Sequence, residues 1–347
     1  MAYPAKALRF PALLILLGAT LLISLGAGPV RYSIAEILSV IGSRFNPRVD
    51  AGSVSKAAAI IIWDLRLSRS ILAAVVGAAL AMSGAAFQGL FRNPLADPFV
   101  IGASSGAALG AALAIALKVV IPVAGLSSVP AAAFVGSLLS VLLVYGLSSA
   151  GTASPPTVSL LLAGTALSSL LSSMVSFIMA MRDDDLHQVF FWLLGGFGGS
   201  NWDHLISILP YVIPGAAILF LLSRPLDVLA FGEDSAKTMG VSINLTRLLT
   251  VGAASLTTAA AVAVSGIIGF VGLLAPHAAR LIFGPSHRAL MPASALIGAI
   301  LLVLADIFAR TVLAPVELPV GILTSMLGAP FFLFLLRTRR EGLGGGA

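Results

Sequence analysis

Four histidines, one acid inside an apolar run and no cysteine are what this chain of 347 residues offers for chemistry within its hydrophobic segments. His277 and His287 stand ten apart with Pro285 between them. That is not a same-face helical spacing, and no ligand-spaced partner lies nearby. They read as hydrogen-bonded structural groups at a membrane edge. His187 and His204 flank a short apolar stretch and are better placed to meet a substrate. Asp306 lies late in an apolar run, about one turn before Arg310. A buried acid near a base often marks a transport pathway; an ion pair at a helix end is the simpler reading. No G-x-x-x-x-G-K-S/T loop occurs, so the chain is expected not to hydrolyse ATP by itself. Neither a Ser/His/Asp set nor His-Glu-x-x-His is visible. Without cysteine, disulfides and thiolate metal sites are excluded. The chain therefore reads as a transport protein and not an enzyme, with no cofactor or metal of its own. An ion-coupled carrier stays open, although such carriers place acids or broken helices near the midplane, and Asp306 alone qualifies among the acids.

The elements that hold these residues are membrane spans. Hydrophobic residues make up 59% of the chain and charged residues 10%, against about 25% charged in soluble domains. A span needs about 20 apolar residues. Ten segments qualify: 10–28, 68–90, 99–121, 129–149, 157–181, 205–222, 245–265, 267–283, 290–309 and 319–336. The first follows Lys6 and Arg9 and resembles a signal peptide, but a first span fits better with the rest. Segment 186–197 is too short to cross and ends in Gly195-Gly196-Phe197-Gly198-Gly199, so it reads as a re-entrant or surface helix. Gly102, Gly106 and Gly110 share one helix face and permit close helix approach.

The most informative stretch is Arg92-Asn93-Pro94-Leu95-Ala96-Asp97-Pro98, a polar double-proline break between two apolar runs. Two prolines cannot sit inside a continuous helix without lost hydrogen bonds. Bare backbone is tolerated in a membrane only where protein or water covers it. The break is an interfacial loop or a broken helix along a path. Two segments look soluble, 31–66 and 223–247. The first is expected to be an outer loop. In the second, Gly232 to Val241 reads as a short helix, with Glu233 and Asp234 at its N-terminus and Gly240 at its end. Ala236 and Gly240 give it a small, smooth face. It fits either an amphipathic connector or a plug for a partner's groove. An even span count puts both termini on one side, with 11 of the 20 basic residues there. The positive-inside bias is thus weak. Arg44, Arg48, Lys56, Arg66 and Arg69 crowd one outer loop. The net charge of +6 is scattered between spans, which speaks for lipid and against nucleic acid.

Arg92 to Pro98 followed by Gly102-Ala103-Ser104-Ser105-Gly106-Ala107 resembles the signature of the FecCD-type permeases, the membrane subunits of ABC importers for ferric siderophores, haem and cobalamin. Phe191-Trp192-Leu193-Leu194-Gly195-Gly196, Gly232-Glu233-Asp234-Ser235-Ala236 and Gly269 to His277 match as well. So do Glu317-Leu318-Pro319-Val320-Gly321 and Leu327-Gly328-Ala329-Pro330. The resemblance covers nearly everything from about residue 60. It implies an all-α, ten-helix type II ABC importer permease fold, one transmembrane domain over 1–347 with 223–247 as its cytoplasmic coupling segment. It implies a homodimer in the bacterial inner membrane, both termini cytoplasmic, with the path along the dimer axis. Two ATPase subunits carrying ATP and Mg bind below, and a periplasmic substrate-binding protein docks above. Gly232, Glu233, Asp234, Ser235, Ala236, Lys237 and Gly240 would couple to the ATPase. Arg66, Arg69 and Arg310 would meet acids of the binding protein. Asn93, Leu95, Thr157 and Val158 would form the inner gate, where Val158 replaces a hydroxyl residue of better-known members. Iron chelates are the leading cargo. Cobalamin follows closely, because Gly195 to Trp202 is similar to the cobalamin branch.

Overall fold

The computed structural model describes residues 8–28, 30–46, 55–119, 127–149, 157–181 and 185–344. Lys6 and Arg48 lie outside them, as do residues 120 and 121 of one expected span. The described residues form helices and no strand. In chain order these are α1 (Arg9–Gly26), α2 (Ile34–Phe45), α3 (Lys56–Leu90), α4 (Ala103–Ala116), α5 (Ser128–Ser148), α6 (Thr157–Met181) and α7 (Leu186–Leu194). Then come α8 (Trp202–Leu221), α9 (Ser223–Leu229), α10 (Glu233–Thr238), α11 (Ile243–Ser265), α12 (Val271–Phe283), α13 (His287–Thr311) and α14 (Val320–Gly344). By length and composition seven are able to cross a membrane: α1, α3, α5, α6, α8, α11 and α13. Shorter apolar helices occupy the other three expected spans, α4, α12 and the 320–334 part of α14.

Three expectations need correction. Segment 31–66 is not simply a loop. Ser33 and Glu36 form a reciprocal capping box that starts α2, and Ser55 accepts from the Ala58 amide at 3.1 Å to start α3. Helix α3 therefore begins at Lys56, not near residue 68, and passes through a widened π-helical stretch at Ile61–Leu67. The span expected over 99–121 shrinks to α4. Pro98–Ile101 makes a 3-10 turn, and Gly102 adopts a left-handed φ of 84° before the helix begins. The short stretch at 186–197 is helical only to Leu194, ending where Gly195 turns to φ 66°.

Small residues bring the helices together. Lipid tails give no hydrophobic drive for helix association, so close backbone packing carries more of it. Helix α3 lies most extensively against α13, with Gly77 facing Gly298: a Cβ on Gly77 would sit 2.2 Å from the Gly298 carbonyl oxygen. A Cβ on Gly84 would sit 2.0 Å from the Gly272 oxygen of α12. On α4, a Cβ at Gly106 or Gly110 would strike the backbone of Gly136 or Ala132 in α5 at 2.3 and 2.1 Å. The glycine ladder is thus a packing face. Helices α1 and α6 are the least covered, each with only 17% of its apolar window buried.

Candidate functional site

One end of the bundle carries the connector between α8 and α11. Helices α9 and α10 are joined by a hydrogen-bonded turn in which the Phe231 and Gly232 amides donate to Val228 and Leu229 at 3.1 and 3.0 Å. Gly232 takes φ 107° before α10, and Gly240 takes φ 80° after it. Glu233 pairs with Arg247 of α11 at 2.9 Å. Asp234 and Lys237 make only an exposed 3.5 Å pair, which contributes little. Ala236 is fully buried in its own chain, in the same cluster as Leu226, Leu229 and Ile243. The small face expected to meet a partner therefore points inward at Ala236. Facing outward on either side of α10 are Phe231, Met239 and Gly240, with Phe231 77% and Met239 66% exposed.

The Arg92–Pro98 break lies at the same end. The Asn93 amide donates to Gln88 at 3.1 Å, and its side-chain oxygen accepts from the Leu95 amide at 3.0 Å. Asp97 accepts from the Phe99 amide at 2.8 Å. These local bonds satisfy a backbone that cannot be helical. Leu95 lines a small apolar hollow with Phe270, Leu274, His277 and Phe331. Helix α6 runs beside the turn that follows. A Cβ on Gly164 would sit 2.3 Å from the Val100 oxygen. That contact is about two turns along from Thr157 and Val158, and Val158 is 65% exposed. Both expected gate pieces thus belong to neighbouring elements.

At this end sequence reasoning missed Asp227. Its carboxylate accepts from the His287 amide at 2.8 Å and the Ser286 hydroxyl at 2.9 Å, and lies 2.6 Å from His287 Nδ1. Burial pushes the carboxyl up. The bonds from His287 and Ser286 outweigh it and hold the group below the usual carboxylate range. No local spacing signals a pair sixty residues apart. Arg280 donates to Gln88 at 3.0 Å, and the Gln88 amide group donates to the Gly272 carbonyl at 3.2 Å. His277 and His287 are separately engaged, His277 edge-on to Phe331 at 5.6 Å and His287 on Asp227.

The opposite end holds the three arginines singled out from the sequence, and the structure does bring them together. Their groups are largely committed within the chain. Arg66 donates to Leu25 at 2.7 Å and Val30 at 2.5 Å, and lies over the Tyr32 ring at 5.0 Å. Arg310 donates to the carbonyls of Ser24 at 2.6 Å and Ala27 at 3.1 Å. These carbonyls belong to the last turn of α1, where four lack helical partners and cations are favoured. Arg69 pairs with Asp306 and Glu317, each at 2.8 Å, and Arg310 approaches Asp306 at 3.4 Å. Asp306 is fully buried, so it is the centre of the cluster and not a lone pathway acid. Arg66 and Arg310 are only 6% and 5% exposed. Beside them lies a cavity of about 450 Å³ bordered by Arg69, Glu317, Trp192, Phe197 and His204. His187, on α7, is exposed.

Seven helices able to cross a membrane and three shorter apolar ones thus carry a double-proline break and a short connector at one end. Residues 14–338 match the FecCD transport family. The chain belongs to this family. It is 46% identical over 286 residues to the cobalamin import system permease protein BtuC of Halobacterium salinarum, covering 82% of this chain and 76% of that one. To the hemin transport system permease protein HmuU of Yersinia pestis it is 42% identical over 283 residues, 81% and 80% of the two chains. A solved chain from an ABC transporter assigned to the metal-chelate type, in an inward-facing conformation, superposes with a TM-score of 0.80 at 34% identity, covering 94% of this chain and 98% of that one. This FecCD chain is thus a membrane-embedded ABC permease with an all-helical fold.

Proposed function

We propose that this chain is the membrane subunit of an ATP-driven importer that carries an iron chelate, a ferric siderophore or haem, from periplasm to cytoplasm. The observation that carries this reading is α6. This long apolar helix is left mostly uncovered, yet it bears a hydroxyl stripe. Thr165 donates to Leu162, Ser169 to Thr165 and Ser173 to Ser169, at 2.9, 3.1 and 2.9 Å. Hydroxyls bonded to their own helix offer a large cargo a wall that is polar but not sticky. A second copy facing α6 closes that wall into a path. Asn93, Leu95, Thr157 and Val158 narrow its cytoplasmic end. A separate ATPase, holding ATP and Mg, docks on the connector from Gly232 to Gly240, and a periplasmic binding protein docks on the end carrying Arg66, Arg69 and Arg310. The chain sits in the bacterial inner membrane with both termini in the cytoplasm. Cobalamin is the second reading, supported by the 46% identical cobalamin permease.

The test is transport in proteoliposomes. The chain is purified with its co-isolated ATPase and the binding protein encoded beside it. Haemin, a ferric hydroxamate and cyanocobalamin are offered in turn. Uptake of one of the iron chelates that requires ATP is the expected result. ATP-dependent uptake of cyanocobalamin alone selects the second reading. Uptake driven by a proton or sodium gradient without ATP would make the chain an ion-coupled carrier instead.

A further inference from the structure

The contact between Asp227 and His287 joins three parts of the molecule that the importer reading leaves unconnected. The first is the connector. Its two short helices are packed as one unit: α9 runs into α10 through the bonded turn at Ala230 to Gly232, and Ala236 belongs to the same cluster as Leu226 and Leu229. The second is α13. The residue before it in the cap position, Ser286, makes no side-chain cap of its own; its hydroxyl instead reaches Asp227. The carboxylate of Asp227 thus takes the place of the cap, on a helix end whose amides favour an anion. The third is the end of α3. The His287 ring is 5% exposed, and a Cβ on Gly89 would sit 2.4 Å from its Nε2. The ring fills the gap between the two helices.

Gly89 and Gln88 in turn hold the start of the break. The Arg92 amide donates to the Gly89 carbonyl at 3.2 Å and the Asn93 amide to the Gln88 carbonyl at 3.1 Å. Every link from the connector to Asn93 is therefore a hydrogen bond or a close packing contact. The far end of α13 is fixed to the same partner helix, since Asp306 pairs with Arg69 of α3 and Gly77 meets Gly298 between the two ends. Helices α3 and α13 are thus held to each other at both ends and between them.

We propose that the Asp227–His287 contact is a joint that passes movement of the α9–α10 connector to the end of α3 and the Arg92–Pro98 break, an inference that rests on the importer reading above. Asp227 and His287 are positioning residues. They touch neither cargo nor nucleotide, and act through Gly89. A chain of contacts alone does not establish coupling; a shift between two discrete arrangements does.

The test uses the full chain in complex with its ATPase in lipid nanodiscs. The chain has no native cysteine, so Asn93→Cys takes a single spin label per copy. The distance between the two labels is read without nucleotide and with Mg-ATP trapped by vanadate, and ATP hydrolysis is measured on the same samples. With Asp227 present, nucleotide shifts the distance. In Asp227→Ala the responding fraction falls about tenfold, within the usual range of coupling between sites, while hydrolysis continues. Asp227→Asn keeps an oxygen to accept from the His287 amide and retains part of the shift. A merely structural brace would lower hydrolysis and the shift together. An undiminished shift in Asp227→Ala overturns the joint. So does failure of both variants to assemble, because the contact would then serve folding alone. Absence of both hydrolysis by the wild-type complex and a shift in the labelled complex that retains Asp227 would remove the importer reading itself, a result distinct from either.

Discussion

At the scale of single residues, burial decides which side chains are free to meet a partner. Ala236 illustrates it. Its small size next to Gly240 reads from the sequence as a smooth outward face, but the side chain is fully buried in its own chain. A bulky residue there overfills a packed cluster, which costs about 1–3 kcal/mol or more. Ala236→Trp is therefore expected to lower the melting temperature of the isolated permease, measured in detergent without any partner. Phe231 and Met239 behave differently. They are 77% and 66% exposed, and exposed apolar groups on a short connector suit a partner's groove. Truncating both to Ala is expected to leave the melting temperature unchanged and to reduce the ATPase that co-purifies. If the double truncation retains as much ATPase as wild type, the connector does not dock through this face. Arg66 and Arg310 carry the same lesson. Arginines in an outer loop read as free charge, whereas these two cap the carbonyls at the end of α1. Nothing in their local spacing reveals an acceptor some forty or nearly three hundred residues away.

At the scale of elements, legibility follows how local the cause is. The apolar runs are local, so each of the ten expected spans holds a helix, seven of them long enough to cross a membrane and three shorter. Span ends depended on signals of differing visibility. The capping box at Ser33 and Glu36 is present in the sequence as Ser-x-x-Glu and predicts α2, but it lies in a polar segment that hydropathy alone leaves as a loop. The early start of α3 is less visible, because Lys56, Asp64, Arg66 and Arg69 interrupt the apolar pattern. Two of them are accommodated within the chain, Arg66 on the Leu25 and Val30 carbonyls and Arg69 by pairing with Asp306. Helix pairing was legible only as an abundance of small residues, since which glycine meets which is a tertiary property. The Gly77–Gly298 crossing tests this. With a Cβ on Gly298 only 2.4 Å from the Gly77 carbonyl oxygen, Gly298→Leu must part α3 from α13 and is expected to abolish recovery of folded, monodisperse protein. Gly146 is a control, since a Cβ there meets nothing within 4 Å. Gly146→Ala should be neutral or stabilise by about 0.5–1 kcal/mol through reduced backbone entropy. Equal behaviour of the two variants in size-exclusion chromatography would refute the close-packing account.

At the scale of the whole molecule, α13 spans the bundle, about 37 Å for its 25 residues. It carries Asp227's contact at one end and the arginine cluster at the other. That cluster holds three arginines and two acids, Asp306 fully buried and Glu317 with 48% of its side chain exposed. The two acids have different jobs. Removing Asp306 would leave buried guanidinium charge uncompensated, a loss of about 3–5 kcal/mol, so its variants report on folding. Glu317 lies at the rim, where one pair contributes only about 0–1 kcal/mol. Neutralising it leaves Arg69 held by Asp306 and makes the rim more positive. If a binding protein docks here through its own acids, Glu317→Gln should raise its association rate, because long-range attraction acts chiefly on that rate. The gain should fade as salt shortens the screening length. Lys56→Glu, at an exposed position near the start of α3, should act in the opposite sense. Surface plasmon resonance on the reconstituted permease, at low and high salt, reads both. An association rate indifferent to either change would mean that the cluster works only inside the chain, tying α1, α3 and α13 together, and that docking lies elsewhere on this end.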